Sequence, residues 1–256
     1  MVEQSSPVGS SRRQVALVTG SSGGIGASVV TALRARGDLV LGADRERLDG
    51  QDIDGFYRLD VTDEQQTTDI VEQIVAEHGR VDVLVHAAGV LGGTPDPLQT
   101  TTEEFERVMR INATGTFTIT REVANVMRDR GTKGTILLLS SVAAKEARID
   151  YLPYNASKIA VLHIMWSMAK ILGPAGISVN AVNPGPVNTP MWAQLADQSD
   201  GAQAARDARA AQLPMGRFAE PSEVASAIDF LTSPANRYIT GVSLDVAGGA
   251  HLGIGS

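Results

Sequence analysis

Short, mainly apolar segments alternate with longer segments of helical spacing along almost the whole chain. The short segments are rich in β-branched residues and lack period-two alternation, which is typical of strands buried on both faces. They are Val15–Thr19, Leu39–Ala43, Phe56–Leu59, Val81–Val85, Thr135–Leu139, Ile177–Val182 and Val242–Val246. Helical spacing covers Gly24–Arg36, Asp63–His78, Thr102–Arg130, Tyr154–Leu172 and Pro221–Leu231. Repeated strand, helix, strand units predict an α/β fold, a doubly wound and mainly parallel seven-stranded sheet with helices on both faces.

The alternation continues without a linker, repeat or compositional break from Gln14 onward. We therefore expect one dinucleotide-binding and catalytic domain over residues 14–256, after a polar and disordered tail over residues 1–13. Residues 186–214 are the main irregularity, because a Pro/Gly-rich start is followed by an Ala/Arg/Asp-rich stretch. This segment is either a partly helical substrate lid or a plain surface insertion.

Composition excludes several classes of function. Hydrophobic residues make up 43% of the 256 residues and charged residues 20%, which is typical of a globular protein. The net charge of −7, without a Lys/Arg block, argues against nucleic acid and anionic lipid as partners. No apolar run is long enough for a membrane span, and the run after Arg12-Arg13 is too short for an export signal.

Side chains that bind metals or form disulfides are scarce. The chain has no cysteine, which removes thiolate nucleophiles and thiolate metal ligands and agrees with a cytoplasmic location. The four histidines, His78, His86, His163 and His251, lack ligand spacing. We therefore expect no catalytic metal.

A glycine-rich turn, Gly20-Ser21-Ser22-Gly23-Gly24-Ile25-Gly26, lies between the first predicted strand and the first predicted helix. Gly20 permits a tight turn, Gly24 a close approach of backbone to a pyrophosphate, and Gly26 close packing of helix on strand. The helix N-terminus offers free N–H groups to an anion. The turn therefore predicts a dinucleotide site.

Asp44 ends the second predicted strand, 18 residues after Gly26. Its carboxylate can accept hydrogen bonds from the adenosine ribose and would repel the extra phosphate of NADP, so the sequence favours NAD over NADP. Two alternatives stay open: Arg45 and Arg47 could hold such a phosphate, and Asp44 could be a simple turn residue.

Tyr154 and Lys158 have the spacing of four that puts both side chains on one face of a helix. A nearby ammonium favours the phenolate, so we expect Lys158 to lower the pKa of Tyr154 and to make it a general acid/base. The alternative is that Tyr154 and Lys158 are two exposed side chains on one helix without a catalytic role.

With these three motifs in this order, the sequence resembles the short-chain dehydrogenase/reductase family, whose fold is of the NAD(P)-binding Rossmann type, from Gln14 to Gly249. The resemblance implies a catalytic set of Asn112, Ser141, Tyr154 and Lys158. Ser141 lies 13 residues before Tyr154, at the end of a predicted strand, whereas Ser140 fits the spacing less well. Ser141 and Tyr154 would hold the substrate hydroxyl, Lys158 would also hold the nicotinamide ribose, and Asn112 would support a proton-relay water.

The resemblance also implies a cofactor site that extends beyond the glycine turn. Its expected residues are Gly20, Ser22, Gly24, Ile25, Gly26, Asp44, Asp60, Val61, Ala87, Ala88, Gly89, Tyr154, Lys158, Pro184, Gly185, Val187 and Thr189. Two positions depart from the family, since His86 replaces an asparagine before Ala-Ala-Gly and Ala247 replaces an aspartate before Gly-Gly. We expect these departures to change a strand contact and a terminal turn.

The segments that flank the catalytic set predict a mostly apolar substrate pocket. Its expected residues are Ser141, Val142, Tyr151, Tyr154, Met191 and Trp192. Lys145 and Arg148 either contact an anionic substrate or lie in a solvated loop. The short connection between Asp44 and Phe56 has no room for a full helix, which resembles dihydrodiol dehydrogenases. Cyclic alcohols, dihydrodiols, sugars and hydroxysteroids are all candidate substrates.

These observations predict an NAD-dependent oxidoreductase that transfers a hydride between nicotinamide and a small secondary alcohol or ketone. The alternatives are an NADPH-dependent ketoreductase of the same fold and a non-catalytic dinucleotide-binding regulator. Apolar residues such as Phe105, Phe117, Ile164, Met165 and Trp166 on the long helical segments, together with the family resemblance, predict a homotetramer. A buried helix in a monomer would give the same pattern.

Overall fold

Seven parallel strands form one sheet in the computed structural model, which describes residues 13–191 and 202–252. The strands are β1 (Val15–Thr19), β2 (Leu39–Asp44), β3 (Gly55–Arg58), β4 (Val83–His86), β5 (Thr135–Leu139), β6 (Ser178–Pro184) and β7 (Ser243–Val246). Their order is β3-β2-β1-β4-β5-β6-β7, and every neighbouring pair is parallel. The predicted α/β, doubly wound sheet is confirmed. The strand order reverses between β1 and β4, where open α/β sheets form ligand crevices.

Helices cover both faces of the sheet. They are α1 (Gly24–Arg36), α2 (Glu64–His78), α3 (Thr102–Met109), α4 (Gly115–Asp129), α5 (Leu152–Leu172), α6 (Ala202–Ala211) and α7 (Pro221–Thr232). Buried residues of α2, α4 and α5 pack on one face, and those of α1 and α7 pack on the other. Because both faces are covered, the central strands are buried throughout and mainly apolar, and this explains the apolar runs in the sequence.

The segment predicted as one helix, Thr102–Arg130, is divided by a π-helical turn at Arg110–Thr114. Asn112 lies in this turn, fully buried, and its side-chain amide exchanges two hydrogen bonds with the backbone of Val90, each 2.9 Å long. Apolar spacing cannot reveal these contacts, because Val90 belongs to the distant loop after β4. Turns of this kind are frequent at functional sites.

Several predicted boundaries shift by one or two residues. β4 begins at Val83 rather than Val81, and the side chain of Asp82, just before it, accepts a hydrogen bond from the Val15 backbone N–H at 2.8 Å. β6 continues to Pro184, which lies opposite Val246 of β7. α5 begins at Leu152, two residues before Tyr154, so that the tyrosine lies within its first turn.

The ends of the chain and part of the predicted lid lie outside the described residues. Arg13, the last residue of the predicted tail, is described and donates hydrogen bonds to the Gly37 carbonyl and the Asp54 carboxylate. Within the described part of the predicted lid, Pro190 and Met191 are helical, and α6 covers Ala202–Ala211. None of the helices in the described ranges is both long enough and apolar enough to cross a lipid bilayer.

Candidate active site

A cleft of about 1390 Å³ runs along the carboxyl ends of β1, β2, β4, β5 and β6. Every residue that we predicted to contact a cofactor lines it: Gly20, Ser22, Gly24, Ile25, Gly26, Asp44, Asp60, Val61, Ala87, Ala88, Gly89, Tyr154, Lys158, Pro184, Gly185, Val187 and Thr189. Parallel strands point their carboxyl ends to one edge, so the fold gathers these distant segments into one crevice.

The glycine turn is too crowded for side chains. A Cβ on Gly26 would lie 2.0 Å from the Gly20 carbonyl oxygen, and one on Gly20 would lie 2.5 Å from the Ala88 backbone nitrogen. Gly20 also has a φ of +67°, which favours glycine. The turn leads into α1 at Gly24 without a side-chain cap, so the helix presents its first N–H groups to the cleft, where an anion would satisfy them.

Asp44 closes one end of the cleft, where β2 ends. Its carboxylate accepts a hydrogen bond from the Ser22 backbone at 3.0 Å and another from the Arg45 backbone at 2.7 Å. These bonds fix the carboxylate beside the glycine turn and leave it lone pairs for ribose hydroxyls. Arg58 of β3 lies directly opposite Asp44 and also lines the cleft.

Asp60 follows β3 at the same end. Hydrogen bonds from the Thr62 backbone and hydroxyl, and then the charge of Arg45, hold the pKa of Asp60 below its ordinary value. Asp60 is therefore ionised at neutral pH, and the carboxylates of this end are interleaved with arginines. The sequence analysis missed Arg58, because only the pairing of β2 with β3 places it beside Asp44.

Tyr154, Lys158 and Ser141 meet at the other end of the cleft. Ser141, just after β5, and Tyr154 both line the cleft at this end. Lys158 lies one turn further along α5, with its Nζ 5.6 Å from the centroid of the Tyr154 ring and donating to the Leu139 carbonyl at 2.9 Å. Lys158 is 6% exposed, whereas Tyr154 is partly accessible from the cleft.

Buried polar contacts hold this end in place from behind. Asn112 donates to the Ser157 hydroxyl at 3.0 Å, and that hydroxyl donates to the Tyr154 carbonyl at 2.7 Å. Ser140 donates to the Lys158 carbonyl at 2.8 Å. Asn112 does not itself line the cleft. The two adjacent serines therefore have different surroundings, since Ser140 binds the α5 backbone and the Ser141 hydroxyl accepts a hydrogen bond from the Ala143 backbone N–H at 3.1 Å.

Burial controls ionisation at this end. It lowers the pKa of Lys158 to about 8, and it raises the pKa of Tyr154 above its ordinary value despite opposing effects of the Ser141 hydrogen bond and the Arg148 charge. Our prediction that Lys158 brings the pKa of Tyr154 below its ordinary value is therefore wrong for this structure. The physical reason is that loss of hydration of the phenolate outweighs the charges around it.

The predicted substrate residues divide into three groups. Ser141, Tyr154 and Met191 line the cleft, and Trp192 lies outside the described residues. Val142 and Tyr151 do not line the cleft. Val142 is buried in a short 3₁₀ turn, and the Tyr151 backbone adopts a φ of +54° and donates to the Thr94 carbonyl at 3.1 Å.

The two departures from the family pattern have local consequences. His86 is buried, and its Nδ1 lies 2.7 Å from the Thr19 hydroxyl on the neighbouring strand. Burial and the charge of Lys158 lower the pKa of His86 to about 3, so it is neutral at physiological pH. Ala247 packs closely against Gly185, where a Cβ would lie 2.9 Å from the Ala247 Cα. Both departures act on packing around the cleft.

Among the described residues, no group of three or more His, Cys, Asp or Glu side chains is arranged to hold a metal ion. The basic loop residues Lys145 and Arg148 do not line the cleft. Lys145 pairs with Asp245 at 2.6 Å, and Arg148 pairs with Asp150 at 3.1 Å. Neither residue is therefore a solvated loop cation without a partner.

Comparisons with known proteins agree with this geometry. A family model described as enoyl-(acyl carrier protein) reductase matches residues 20–251. The chain is 34% identical over 248 residues to a 3-oxoacyl-[acyl-carrier-protein] reductase FabG of Thermotoga maritima, covering 92% of this chain and 97% of that protein. It is 32% identical over 249 residues to an L-fucose dehydrogenase of Bos taurus, covering 94% and 91%.

A solved structure of an actinorhodin polyketide ketoreductase variant with NADPH has a TM-score of 0.87 to this chain at 32% identity, and the match covers 93% of this chain and 97% of that one. These matches span nearly the whole chain, and the family model includes every strand that shapes the cleft except β1.

Proposed function

The chain belongs to the short-chain dehydrogenase/reductase family of oxidoreductases that act on alcohol and ketone groups, and we propose that it oxidises or reduces a small secondary alcohol or ketone with NAD. The observation that carries the proposal is that Ser141, Tyr154 and Lys158 line one end of a cleft whose other end is the glycine turn. A proton donor and a dinucleotide cradle share one crevice, which a hydride-transfer enzyme requires.

The chain's own residues fit a dinucleotide. The turn at Gly20, Gly24 and Gly26 is a cradle that Cβ atoms would fill, and the uncapped start of α1 offers N–H groups to a pyrophosphate. Asp44 would hold the adenosine ribose, and Lys158 would hold the nicotinamide ribose. When bound, the nicotinamide supplies the hydride acceptor or donor.

Tyr154 would move the proton. In oxidation, Ser141 and Tyr154 would bind the substrate hydroxyl. Tyr154 as phenolate would accept the hydroxyl proton while the carbon that carries this hydroxyl loses a hydride. In reduction, Tyr154 returns the proton to the carbonyl oxygen. Asn112 would support the path of the proton toward solvent.

The preference for NAD rests on the carboxylate of Asp44. A 2′-phosphate beside it would bring two anionic groups together, which costs binding free energy. The second candidate is NADPH-dependent reduction, which the cleft-lining arginines Arg45 and Arg58 favour, since they flank Asp44 and could bind that phosphate. The solved ketoreductase with NADPH supports the same alternative.

The substrate pocket supports small neutral alcohols or ketones. The basic residues Lys145 and Arg148 are both paired with carboxylates, which argues against a dedicated carboxylate site at this end. The similarity to an L-fucose dehydrogenase supports sugars, and the similarity to ketoacyl reductases supports open-chain or cyclic ketones. Cyclic alcohols and dihydrodiols are candidate substrates as well.

A homotetramer is part of the proposal. Phe117 on α4 is 40% exposed, and Ile159 and Trp166 on α5 are 52% and 48% exposed. Exposed apolar side chains on two long helices support an interface between copies of the chain. Light scattering in solution tests it, and a monomer at micromolar concentration would contradict it.

The proposed activity is tested by following NADH and NADPH absorbance with purified protein. The panel holds cyclohexanol, L-fucose and a cyclic dihydrodiol for oxidation, and cyclohexanone for reduction, each with both cofactors. We expect turnover with NAD that exceeds turnover with NADP. Binding of NAD without turnover of any compound would instead support a dinucleotide-binding regulator.

A further inference from the structure

Ser22 lies in the glycine turn and holds the segment that follows β2. Its hydroxyl donates to the Glu46 carbonyl at 2.6 Å and accepts a hydrogen bond from the Leu48 backbone N–H at 3.1 Å. Its backbone N–H donates to the Asp44 carboxylate at 3.0 Å. Three hydrogen bonds from Ser22 therefore fix the segment from Asp44 to Leu48 against the glycine turn.

The later part of the same loop is held to the glycine turn by a second side chain. The Gln51 amide donates to the Ser21 carbonyl at 2.8 Å, and the Gln51 backbone N–H donates to the Leu48 carbonyl at 3.2 Å. Residues 45–54, which join β2 to β3, contain no helix. The position of this loop therefore depends on its hydrogen bonds to Ser21 and Ser22.

Several donors at the end of the cleft closed by Asp44 already have partners. The N–H groups of Ser22 and Arg45 donate to the Asp44 carboxylate, and that of Leu48 donates to the Ser22 hydroxyl. A serine hydroxyl has one proton, and Ser22 gives it to the Glu46 carbonyl. None of these four donors is therefore available to a phosphate oxygen.

The side chains at this end carry more negative than positive charge. The charged residues that line the cleft on β2, on β3 and just after each strand are three carboxylates and two guanidiniums: Asp44, Glu46, Asp60, Arg45 and Arg58. Arg47, the neighbour of Glu46, does not line the cleft, and its Nη2 donates to the Gln51 carbonyl at 3.4 Å. Glu46 thus places a second carboxylate in the cleft, two residues after Asp44.

A ribose hydroxyl and a phosphate respond to these carboxylates in opposite ways. The hydroxyl can donate a hydrogen bond to a carboxylate oxygen, whereas a phosphate is anionic and is repelled by it. Discrimination of this kind needs carboxylates in fixed positions, because a mobile side chain can turn away from the ligand. The hydrogen bonds of Ser22 supply that restraint to the backbone of the segment that carries both carboxylates.

We propose that Glu46 is a specificity-determining residue, held at the cleft by the Ser22 hydroxyl, that acts with Asp44 to disfavour a 2′-phosphate on the bound adenosine ribose. The inference rests on the proposed function, because it assumes that the adenosine ribose of a dinucleotide lies at this end of the cleft. Ser22 is then a positioning residue rather than a ligand of the phosphate.

The test compares binding of two nucleotides that differ only in the 2′-phosphate, AMP and adenosine 2′,5′-bisphosphate. Calorimetry gives Kd for each with the full chain, without substrate or nicotinamide. E46Q removes the charge and keeps the shape of the side chain. D49N is the matched control, because Asp49 is an exposed carboxylate of the same loop that does not line the cleft.

We expect E46Q to improve binding of the bisphosphate relative to AMP by roughly threefold, and D49N to keep the wild-type ratio of the two Kd values. The difference between E46Q and the wild type should shrink in about 1 M salt, where exposed charges are screened. Equal ratios in E46Q and the wild type, or an equal shift in D49N, would overturn the inference.

The role of Ser22 is tested with S22A, which removes both hydrogen bonds of the hydroxyl. The ratio should move in the same direction as in E46Q, while S28A, at a serine of α1 that does not line the cleft, should keep the wild-type ratio. A wild-type ratio in S22A would show that Ser22 does not position the carboxylates. Thermal unfolding is measured for every variant, and E46Q, at an exposed side chain, decides the inference if S22A does not fold.

Nucleotide binding separates this inference from the proposed activity. If the wild-type chain binds AMP but turns over no alcohol or ketone, the proposed activity fails and the Kd ratios still decide the inference. If the wild-type chain binds neither nucleotide, the assumed adenosine site is wrong and the inference fails with it.

Discussion

The two ends of the cleft differ in how their charged groups are held. At the Asp44 end, the carboxylate is fixed by backbone N–H groups, and exposed arginines surround it. At the Tyr154 end, Lys158 and Asn112 are almost fully buried, and their polar atoms bind carbonyls and hydroxyls of neighbouring elements.

Water screens the charges at the Asp44 end of the cleft and is excluded from most of the Tyr154 end. Charges at the Asp44 end therefore act over short distances and adjust which dinucleotide binds, while charges at the Tyr154 end shift ionisation strongly. The comparison predicts that substitutions at the buried end change rates and pH dependence, whereas substitutions at the exposed end change cofactor preference by smaller factors.

The largest effect is expected from Tyr154→Phe, which removes the phenolic proton at the buried end. kcat should fall by roughly 10²–10⁴-fold, because general acid/base catalysis supplies a factor of that size. Binding of NAD, measured by calorimetry, should be almost unchanged. Tyr238→Phe is the matched control, since Tyr238 is fully exposed on the surface. Unchanged turnover in Tyr154→Phe would remove Tyr154 from the proposed mechanism.

Lys158→Met should change how stability depends on pH. The pKa of Lys158 is about 8 in the folded chain, against an ordinary value of 10.5, so the unfolded chain binds more protons between these values. The free energy of unfolding should therefore rise with pH across this window, by up to about 3 kcal/mol from this group alone.

In Lys158→Met, the increase in the free energy of unfolding that comes from Lys158 should vanish. The comparison uses denaturant unfolding of both chains at several pH values from 7 to about 10, and their difference isolates Lys158 from the tyrosines that titrate in the same range. Parallel stability curves for the two chains would show that Lys158 keeps its ordinary pKa when folded.

At the exposed end, Asp44→Ala should narrow the preference for NAD over NADP by roughly tenfold, because a like-charge repulsion is removed. The measurement is the ratio of kcat/KM for the two cofactors. Asp49→Ala serves as control, since Asp49 is an exposed carboxylate in the following loop that does not line the cleft. An unchanged ratio would contradict the assigned role of Asp44.

The smallest effect is expected from Arg58→Ala. Loss of this exposed cation should raise KM for NADP by roughly two- to threefold, with less effect on NAD, and the difference should shrink as salt is added. Arg128→Ala, which removes an exposed arginine on α4, should leave both constants unchanged. A salt-independent effect of Arg58→Ala would show that the exposed end is not screened in the way proposed.

Local sequence patterns were enough for most of the fold, for the glycine turn and for Asp44, and the family resemblance supplied many of the other residues of the cleft. Apolar runs without alternation located all seven strands of the described part, and glycine spacing located the turn before α1. These signals are local, because a strand buried on both faces must be apolar and a crowded turn must be glycine. The position of Tyr154 and Lys158 on one helix face follows from spacing alone.

Contacts between distant segments were decided only by the tertiary structure. The position of Asn112 in the π-helical turn depends on its hydrogen bonds to Val90. Arg58 lies beside Asp44 only because β2 pairs with β3. The contacts of the loop before α5 include the hydrogen bond from Asn155 to the Asp150 carbonyl. The direction of the Tyr154 pKa shift was predicted wrongly, because spacing reveals the nearby lysine but not the loss of hydration. Local sequence patterns and the family resemblance thus predicted which residues reach the cleft, and burial, which depends on the whole fold, decided how their charges behave.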